Sequence, residues 1–414
     1  GWTYSSNNIA TTGAYQDTLP PSWWSSTQYY CTFIVKLSDA GVRQWATYYY
    51  PGCRLWLYSG KYKDGLYLCG RADTSAIPVM GTTGTQQPAH GGGVYDGVIV
   101  KFTKDGMPEW MTYVGGSNYE YVYDLDIDGN GDIVIGGYTY SSNNIASANA
   151  HQTSIGTAIH SGIVAKYSPQ GVRKWGTYYG GTSWTHVGGV TVDKWNNIYV
   201  CGSTDDTAGI ATPGTHKDCA DFIPTSWNGY WEEGFIAKFD ASGKRLWGTY
   251  VGGPDRDYLW GGLDCDDNGN VYTTGWTEST TGIATPGAYR MTISSNNYAG
   301  MMMKFDSSGQ RKWGTYLDSN HYSGYYGGLN IHQNTLYLSG STGNSSVIAT
   351  PHAAQLSLKG KSDLYILKFD TEGKKTWGSY FGGSGEEYNN SGYGGNNAFV
   401  NTFNGSTNIY LHGH

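Results

Sequence analysis

The stretch DLDIDGNGD is the part of the sequence whose residue types are closest to a metal-binding loop. It places Asp124, Asp126 and Asp128 at the spacing of a calcium loop, and carboxylate oxygens are the ligands that calcium prefers. The twelfth position, where such a loop carries Glu, holds isoleucine. Asp193 and Asp266 recur at the phase of Asp128, so we favour a hairpin turn with Asx hydrogen bonds. We therefore expect no cofactor, with calcium at these aspartates as the alternative.

Two long connections are rich in tryptophan and have no counterpart elsewhere in the sequence. LPPSWWSSTQYY contains Trp23 and Trp24, and IPTSWNGYWEE contains Trp227 and Trp231. Exposed aromatic rings supply a large contact area with little rotamer entropy to lose. We predict that these four residues bind a protein or a carbohydrate on one face of the fold. The alternative is that the rings only cover the surface beneath them.

The sequence offers no recognisable catalytic pattern. A nucleophile elbow, an HExxH motif and a phosphate-binding glycine loop are all absent. Candidate acids occur singly rather than in repeated pairs, namely Glu232, Glu233, Glu386 and Glu387. We predict no catalytic residue and expect a non-enzymatic binding or structural module, such as an adhesion protein or a component of a larger surface assembly. The alternative is a glycosidase or lyase, which would need two acids about 5–9 Å apart at the mouth of a channel.

The six cysteines lack CxxC spacing, which disfavours a zinc site or a thioredoxin-like pair. Cys201 and Cys219 fall in one repeat unit, so they are the pair that we expect to form a disulfide if any does.

Composition narrows the class of protein. Only 14% of the 414 residues are charged, whereas there are 62 Gly, 37 Tyr and 16 Trp, a balance typical of turn-rich β-structure. The net charge of −7 without a Lys/Arg cluster excludes an obvious nucleic-acid footprint. No run approaches the ~18 apolar residues of a membrane span. High Gly, Tyr, Ser and Asn with scattered cysteines favour an extracellular or cell-surface location.

A tandem repeat organises the whole chain. One phrase, W(A/M/G)(T/S)Y, recurs at intervals of 64 to 72 residues, and a Lys stands nine residues before each Trp. Trp and the Tyr three residues later must point to opposite faces of a strand, so each pair can pack on two neighbouring sheets. We predict that these tryptophans are structural anchors: Trp45, Trp110, Trp175, Trp247, Trp313 and Trp377.

Each unit reads as two hairpins, and hence as four strands. A four-stranded sheet repeated six times predicts an all-β, six-bladed β-propeller that occupies residues 1–414 as a single domain. The final NIYLHGH matches NIYVCGS in the third unit, so the end of the chain and the opening GWT share one phase of the cycle. We expect one blade to be split between the two ends of the chain, which closes the ring and hides its edges.

The repeat resembles the bacterial β-propeller family called SBBP. The phrase DDNGNVYTTGWTES, followed by TPGAY and KFDSSGQRKWGTYLDS, runs from Asp266 to Ser319, and the likeness extends over essentially the whole chain. The resemblance implies a bacterial propeller that is secreted or displayed at the cell surface. It implies a scaffold and no particular enzyme activity.

Overall fold

The computed structural model describes residues 1–19, 31–38, 40–50, 55–73, 81–221, 232–260, 262–293, 298–317, 328–343, 348–387, 398–403 and 406–411. Every regular element in these segments is a β-strand. The described chain contains no helix that is long and apolar enough to cross a membrane. The fold is the predicted six-bladed β-propeller, built from antiparallel four-stranded blades.

Blades 1 to 5 follow one another along the chain, and the sixth position holds a three-stranded sheet from the N-terminal part of the chain. This sheet, the closing blade, contains β1 (Trp2–Thr3), β2 (Cys31–Leu37) and β3 (Arg43–Tyr49). Blade 1 contains β4 (Leu55–Tyr62), β5 (Leu66–Asp73), β6 (Tyr95–Phe102) and β7 (Pro108–Val114). Blade 2 contains β8 (Glu120–Ile127), β9 (Ile133–Thr139), β10 (Ser161–Tyr167) and β11 (Arg173–Tyr179).

The remaining blades repeat this order. Blade 3 contains β12 (Thr185–Val192), β13 (Ile198–Thr204), β14 (Glu233–Phe239) and β15 (Arg245–Val251). Blade 4 contains a broken first strand, β16 (Asp257–Tyr258) and β17 (Leu263–Cys265), then β18 (Val271–Thr277), β19 (Ala299–Phe305) and β20 (Arg311–Tyr316). Blade 5 contains β21 (Gly328–His332), β22 (Thr335–Thr342), β23 (Asp363–Asp370) and β24 (Lys375–Phe381). A hairpin of β25 (Ala398–Phe403) and β26 (Ser406–Leu411) ends the described chain.

The first strand of each blade lies nearest the axis. The first strands of neighbouring blades contact one another in series, from β4 through β8, β12, β17 and β21 to β25. They therefore surround the central channel, while the Trp-bearing fourth strands lie at the rim. Connections between the fourth and first strands, and between the second and third, emerge at one end of the channel, which we call the loop face.

The N-terminal residues form the first strand of the three-stranded sheet of the closing blade. Trp2 pairs with Thr32, and Gly1 exchanges backbone hydrogen bonds with Phe33, as Gly275 pairs with Met301 in blade 4. The opening residues thus occupy the phase predicted from the repeat. The β25–β26 hairpin forms its own two-stranded sheet beside blade 5, with β25 in contact with β21 and β22.

The hydrophobic core is divided among the junctions between blades. Trp247 belongs to the core between blades 3 and 4, whereas Tyr250 belongs to the core between blades 2 and 3. The predicted opposition of Trp and Tyr is therefore confirmed at this strand. The third strands β10, β14 and β19 are buried along their full length because a neighbouring blade covers each face.

Five of the six anchor tryptophans fasten one blade to the next through the turn between the third and fourth strands. Each indole N–H donates to a backbone carbonyl at 3.0–3.2 Å. The glycine two residues beyond the acceptor lies against the ring: a Cβ at Gly309, where φ is 83°, would stand 3.0 Å from the Trp247 ring. The donor and acceptor pairs are Trp45 with Lys104, Trp110 with Pro169, Trp175 with Ala241, Trp247 with Ser307 and Trp313 with Thr371.

The junction between blade 5 and the closing blade differs from these five. Gly41 stands at the equivalent turn position with φ of 74°, yet a Cβ there would meet no atom within 4 Å. The sixth anchor, Trp377, therefore does not cover this glycine. Its ring instead lies 5.6 Å from the ammonium of Lys368 in its own blade.

Candidate functional site

The aspartates that suggested calcium do not converge on one point. Asp128 lies in the β8–β9 turn, where its Oδ1 accepts N–H bonds from Asn130 and Asp132 at 2.8 and 2.9 Å. Its other oxygen lies 2.6 Å from the Lys166 ammonium. The predicted Asx turn is therefore present, and the Lys nine residues before the anchor Trp has a structural ion pair. No cluster of three or more His, Cys, Asp or Glu side chains suited to a metal occurs in the described segments.

Asp124 and Asp126 hold blade 2 to blade 3 at the channel. Their carboxylates accept the backbone N–H groups of Val190 and Val192, at 2.9 and 3.0 Å. Asp264 repeats this contact on blade 5. Because inner strands leave one edge unpaired towards the channel, these carboxylates satisfy amides that would otherwise lack partners.

The polar part of the channel also contains a cation. Lys61 lies 3.4 Å from the Asp126 carboxylate, and the Thr191 hydroxyl lies 3.3 Å from Asp126 and 3.4 Å from Asp264. Burial raises the pKa of Asp264 to about 6. Two acids bridged by one hydroxyl are the described arrangement that comes nearest to the enzymatic alternative. Their oxygens are nevertheless committed to backbone amides and to Lys61.

The other predicted positions have different outcomes. Trp23, Trp24, Trp227 and Trp231 lie outside the described residues. The expected pairing of Cys201 with Cys219 is wrong, because both thiols are free: Cys201 is fully buried in the core, whereas Cys219 is exposed.

The four candidate acids serve separate contacts, each within its own part of the fold. Glu233 is buried and lies 2.6 Å from the Lys217 ammonium. Glu386 pairs with Lys361 at the surface, at 2.9 Å. Glu232 pairs with Arg256, also at 2.9 Å. A Cβ at Gly382 would lie 2.7 Å from Glu387, which places this acid beneath the Gly-Gly turn.

Buried carboxylates explain why Gly-Gly follows most copies of the W(A/M/G)(T/S)Y motif. Gly116 and Gly253 donate their N–H groups to Glu120 and Asp257, at 3.0 and 2.7 Å. A Cβ at Gly115 would stand 2.4 Å from Glu120, so a side chain there would displace the acid. These acids hold the turns on the loop face in place and are therefore structural.

A continuous aromatic surface lines the channel at the loop face, and we call it the aromatic mouth. It rests on four cross-strand pairs, each formed by a residue near the start of a first strand and one near the end of a second strand. The pairs are Trp56 with Arg71, Tyr121 with Tyr138, His186 with Ser203, and Tyr258 with Trp276. Further rings extend the surface: Tyr58, Tyr95, Tyr119, Tyr123, Tyr140, His160, Trp184, Trp260 and Tyr298.

In blades 1 to 3 a glycine of the second strand and a bulge of the first strand create this arrangement. The inner strand of blade 2 shifts register between Val122 and Asp124, and the Tyr121 carbonyl then folds over Gly137. A Cβ at Gly137 would stand 1.9 Å from that oxygen, so only glycine fits. The bulge turns the neighbouring side chain towards the mouth, and the residue after the glycine faces it across the pair.

Ring geometry shows that the surface is continuous across blades. Tyr121 stacks on Tyr138 with centroids 4.7 Å apart and planes at 12°. Tyr138 lies 4.1 Å from the His186 ring of blade 3. In blade 4, Tyr258 stacks on Trp260 at 5.1 Å with an interplanar angle of 5°. The mouth is therefore a continuous aromatic surface from blade 2 to blade 4, and most of its rings are half-buried.

Two histidines in the mouth are neutral. His160 stacks on His186 at 4.7 Å, and neither imidazole has a hydrogen-bond partner among the described residues. Burial lowers the pKa of His160 to about 4 and lowers that of His186 as well. All four ring nitrogens are buried and are unpaired within the described residues.

Two arginines lie at the mouth in different electrostatic settings. Arg256 of blade 4 is neutralised by Glu232 and Glu278, at 2.9 and 3.4 Å. Arg71 of blade 1 has no ion pair and no hydrogen bond within the described part of the chain, and its Nε is buried. Aromatic rings surround its guanidinium instead, with centroids 4.5 to 4.7 Å from Cζ for Trp56, Tyr95 and Tyr121.

The residues of the aromatic mouth were not predicted from the repeat, although one variable position in the repeat indicates them. The residue after the invariant glycine of the second strand is Arg71, Tyr138, Ser203, Trp276 and Ser341 in blades 1 to 5. The glycine is constant because the bulge demands it, while its neighbour varies. Variation beside an invariant structural position marks a surface that the fold itself does not constrain.

No protein-family profile matches the chain, and no curated protein matches it. Solved structures give several matches. A protein of unknown function from Bacteroides caccae is 11% identical, with a TM-score of 0.33 over 68% of this chain and 73% of the other. A quinohemoprotein alcohol dehydrogenase from Comamonas testosteroni is 13% identical, with a TM-score of 0.38 over 91% of this chain and 59% of the other. A gluconolactonase from Xanthomonas campestris is 11% identical, with a TM-score of 0.32 over 80% and 78%.

Proposed function

We propose that this propeller is a secreted or cell-surface, non-enzymatic binding module of the SBBP type, and that it holds a glycan in the aromatic mouth. The observation that carries the proposal is the run of stacked aromatic rings around the end of the channel, most of them half-buried. A pyranose ring has one apolar C–H face and polar edges. It can therefore stack on a tyrosine or tryptophan while its hydroxyls reach hydrogen-bonding groups.

The polar groups needed beside the rings are present. Tyr121, Tyr140 and Tyr258 are half-buried, and their phenol hydroxyls can donate to and accept from sugar hydroxyls. Neutral hydroxyls exchange hydrogen bonds with a sugar without the cost of burying a charge. The tryptophan-rich insertions at Trp23–Trp24 and Trp227–Trp231 would add contacts from the same end of the blades, because both belong to connections between second and third strands.

The second candidate is a polysaccharide-active enzyme that uses Asp126 and Asp264. The shared Thr191 hydroxyl brings these acids close, and burial raises the pKa of Asp264 as a general acid requires. Against it, Asp264 accepts the Ile331 N–H at 2.7 Å, so proton transfer would break a contact between blades. We therefore favour binding without turnover.

A glycan array combined with a reducing-end assay tests the proposal. We expect selective binding to one group of glycans and no release of reducing ends. Binding that survives replacement of Tyr121 and Tyr258 by serine would contradict the proposed site. Turnover that disappears in Asp264→Asn would establish the enzyme instead.

A further inference from the structure

Arg71 is the charged group of the mouth that lacks a protein counter-ion among the described residues. Arg256, which lies over the Trp276 ring of the mouth, has the carboxylates of Glu232 and Glu278 beside it. Arg71 lies in a chain segment, 55–73, that is fully described, and its contacts are with aromatic rings. A half-buried guanidinium without an anion is an incomplete pair, since burying an uncompensated charge is costly.

The surrounding rings determine how this guanidinium can be approached. Cation–π contacts favour the charge and hold the side chain in place, each contributing about 0.5–2 kcal/mol depending on solvent exposure. They occupy space above and beside the guanidinium, whereas its N–H groups donate in its own plane. An incoming anion must therefore enter edge-on through the gap between the rings. A carboxylate can accept two of these in-plane N–H groups at once, as in bidentate Arg–carboxylate pairs.

The position of Arg71 connects it to the proposed glycan platform. It lies opposite Trp56 in the cross-strand pair of blade 1, and its Cζ is 4.6 Å from the ring centroid of Tyr121. Tyr121 is itself stacked on Tyr138. A sugar bound beside the half-buried Tyr121 would thus place a carboxylate within reach of Arg71.

We infer that the mouth recognises a uronate, a sugar that carries a carboxylate, and that Arg71 is its anion-binding residue. This inference rests on the proposed glycan function and names its ligand class. The tyrosine hydroxyls of the mouth would contact the sugar hydroxyls, while Arg71 supplies the charge. Binding should weaken as salt rises, because a partly exposed ion pair is screened.

The test uses polygalacturonate, alginate and hyaluronate, each beside its carboxyl-reduced neutral form, in binding isotherms with the full chain. We expect at least one uronate polymer to bind at least tenfold more tightly than its reduced form. Arg71→Gln should remove that difference by weakening binding to the acidic polymer about 10- to 100-fold, which corresponds to about 1.4–2.8 kcal/mol. Arg71→Lys keeps the charge but loses the planar donors, so it should show a smaller loss. Lys374→Gln, an equal change of charge at an exposed turn of blade 5, should have no effect.

The outcomes separate this inference from the proposed function. Equal binding of acidic and reduced polymers, or unchanged discrimination in Arg71→Gln, would overturn the uronate assignment and leave a glycan site intact. The same holds if the protein binds neutral glycans on the array but none of the acidic polymers. Failure to bind any glycan, with capture of a protein ligand instead, would overturn both. If Arg71→Gln does not fold, the comparison of wild type with Arg71→Lys on acidic and reduced polymers decides.

Discussion

Replacing Trp247 by alanine should destabilise the propeller by about 4–6 kcal/mol. The side chain is only 7% exposed and lies in the core between blades 3 and 4. The centroid of its ring lies 6.1 Å from the centroid of the Tyr199 ring. Truncating a buried tryptophan costs about 3–5 kcal/mol, because the transfer free energy is lost and a cavity remains. The lost hydrogen bond from its N–H to the Ser307 carbonyl, 3.0 Å long, adds about 1 kcal/mol.

Guanidinium unfolding followed by far-UV circular dichroism measures this change, since the method does not depend on the fluorescence of the deleted residue. The matched control is Trp195→Ala, in the β12–β13 turn, where 54% of the side chain is exposed. Its loss should cost less than about 1 kcal/mol. Gly309→Ala attacks the same contact from the other blade, because the new Cβ would meet the Trp247 ring at 3.0 Å with φ at 83°. It should cost at least 1–2 kcal/mol from backbone strain alone. A loss below about 1.5 kcal/mol for Trp247→Ala would show that these tryptophans do not stabilise the contact between blades.

Two further predictions concern titration and thiol chemistry. Burial raises the pKa of Asp96 and of Glu233 to about 8 each, so the folded state holds protons that the unfolded state releases near pH 4. The free energy of unfolding should therefore fall as pH rises from about 5 to 8. In Asp96→Asn this fall should be smaller by at least about 1 kcal/mol, measured by denaturant titration at each pH. The same fall in wild type and variant would show that Asp96 ionises normally. Cys219 is exposed and should react with a thiol reagent in the native state. Cys201 should react only on unfolding, because burial shields its thiol and raises its pKa to about 12. Mass spectrometry maps the modified residue, and equal reaction rates would contradict the described burial.

The repeat was sufficient to predict the fold because its physics is local and repeated. The constant spacing from Lys to Trp defines a hairpin, and the odd separation of Trp247 and Tyr250 requires contacts with two neighbouring sheets. The sequence did not reveal that Asp124 and Asp126 cap backbone amides of the next blade, because that contact joins residues about 65 positions apart. Their D-x-D spacing is shared by calcium loops and by alternate positions on a strand.

The mouth was harder to predict than the scaffold. Arg71 and Tyr138 stand at the same register of different blades, but this becomes meaningful only when the inner strands are known to meet at one axis. In the sequence, the tryptophan-rich insertions are the more conspicuous candidates for a binding surface. The disulfide prediction failed because membership of one blade does not bring two side chains together: Cys201 is in the core, and Cys219 is outside it.

The affinity of the Tyr121→Ser, Tyr258→Ser double variant for the glycan that binds best on the array tests the central claim most directly. Both side chains are half-buried parts of the mouth, and the control Tyr62→Ser removes a ring that is 60% exposed at the far end of the inner strand β4. We expect at least a 30-fold loss of affinity, about 2 kcal/mol, for the double variant with its unfolding midpoint nearly unchanged, and no loss for the control. Equal affinities for wild type and double variant would contradict a glycan site in the aromatic mouth.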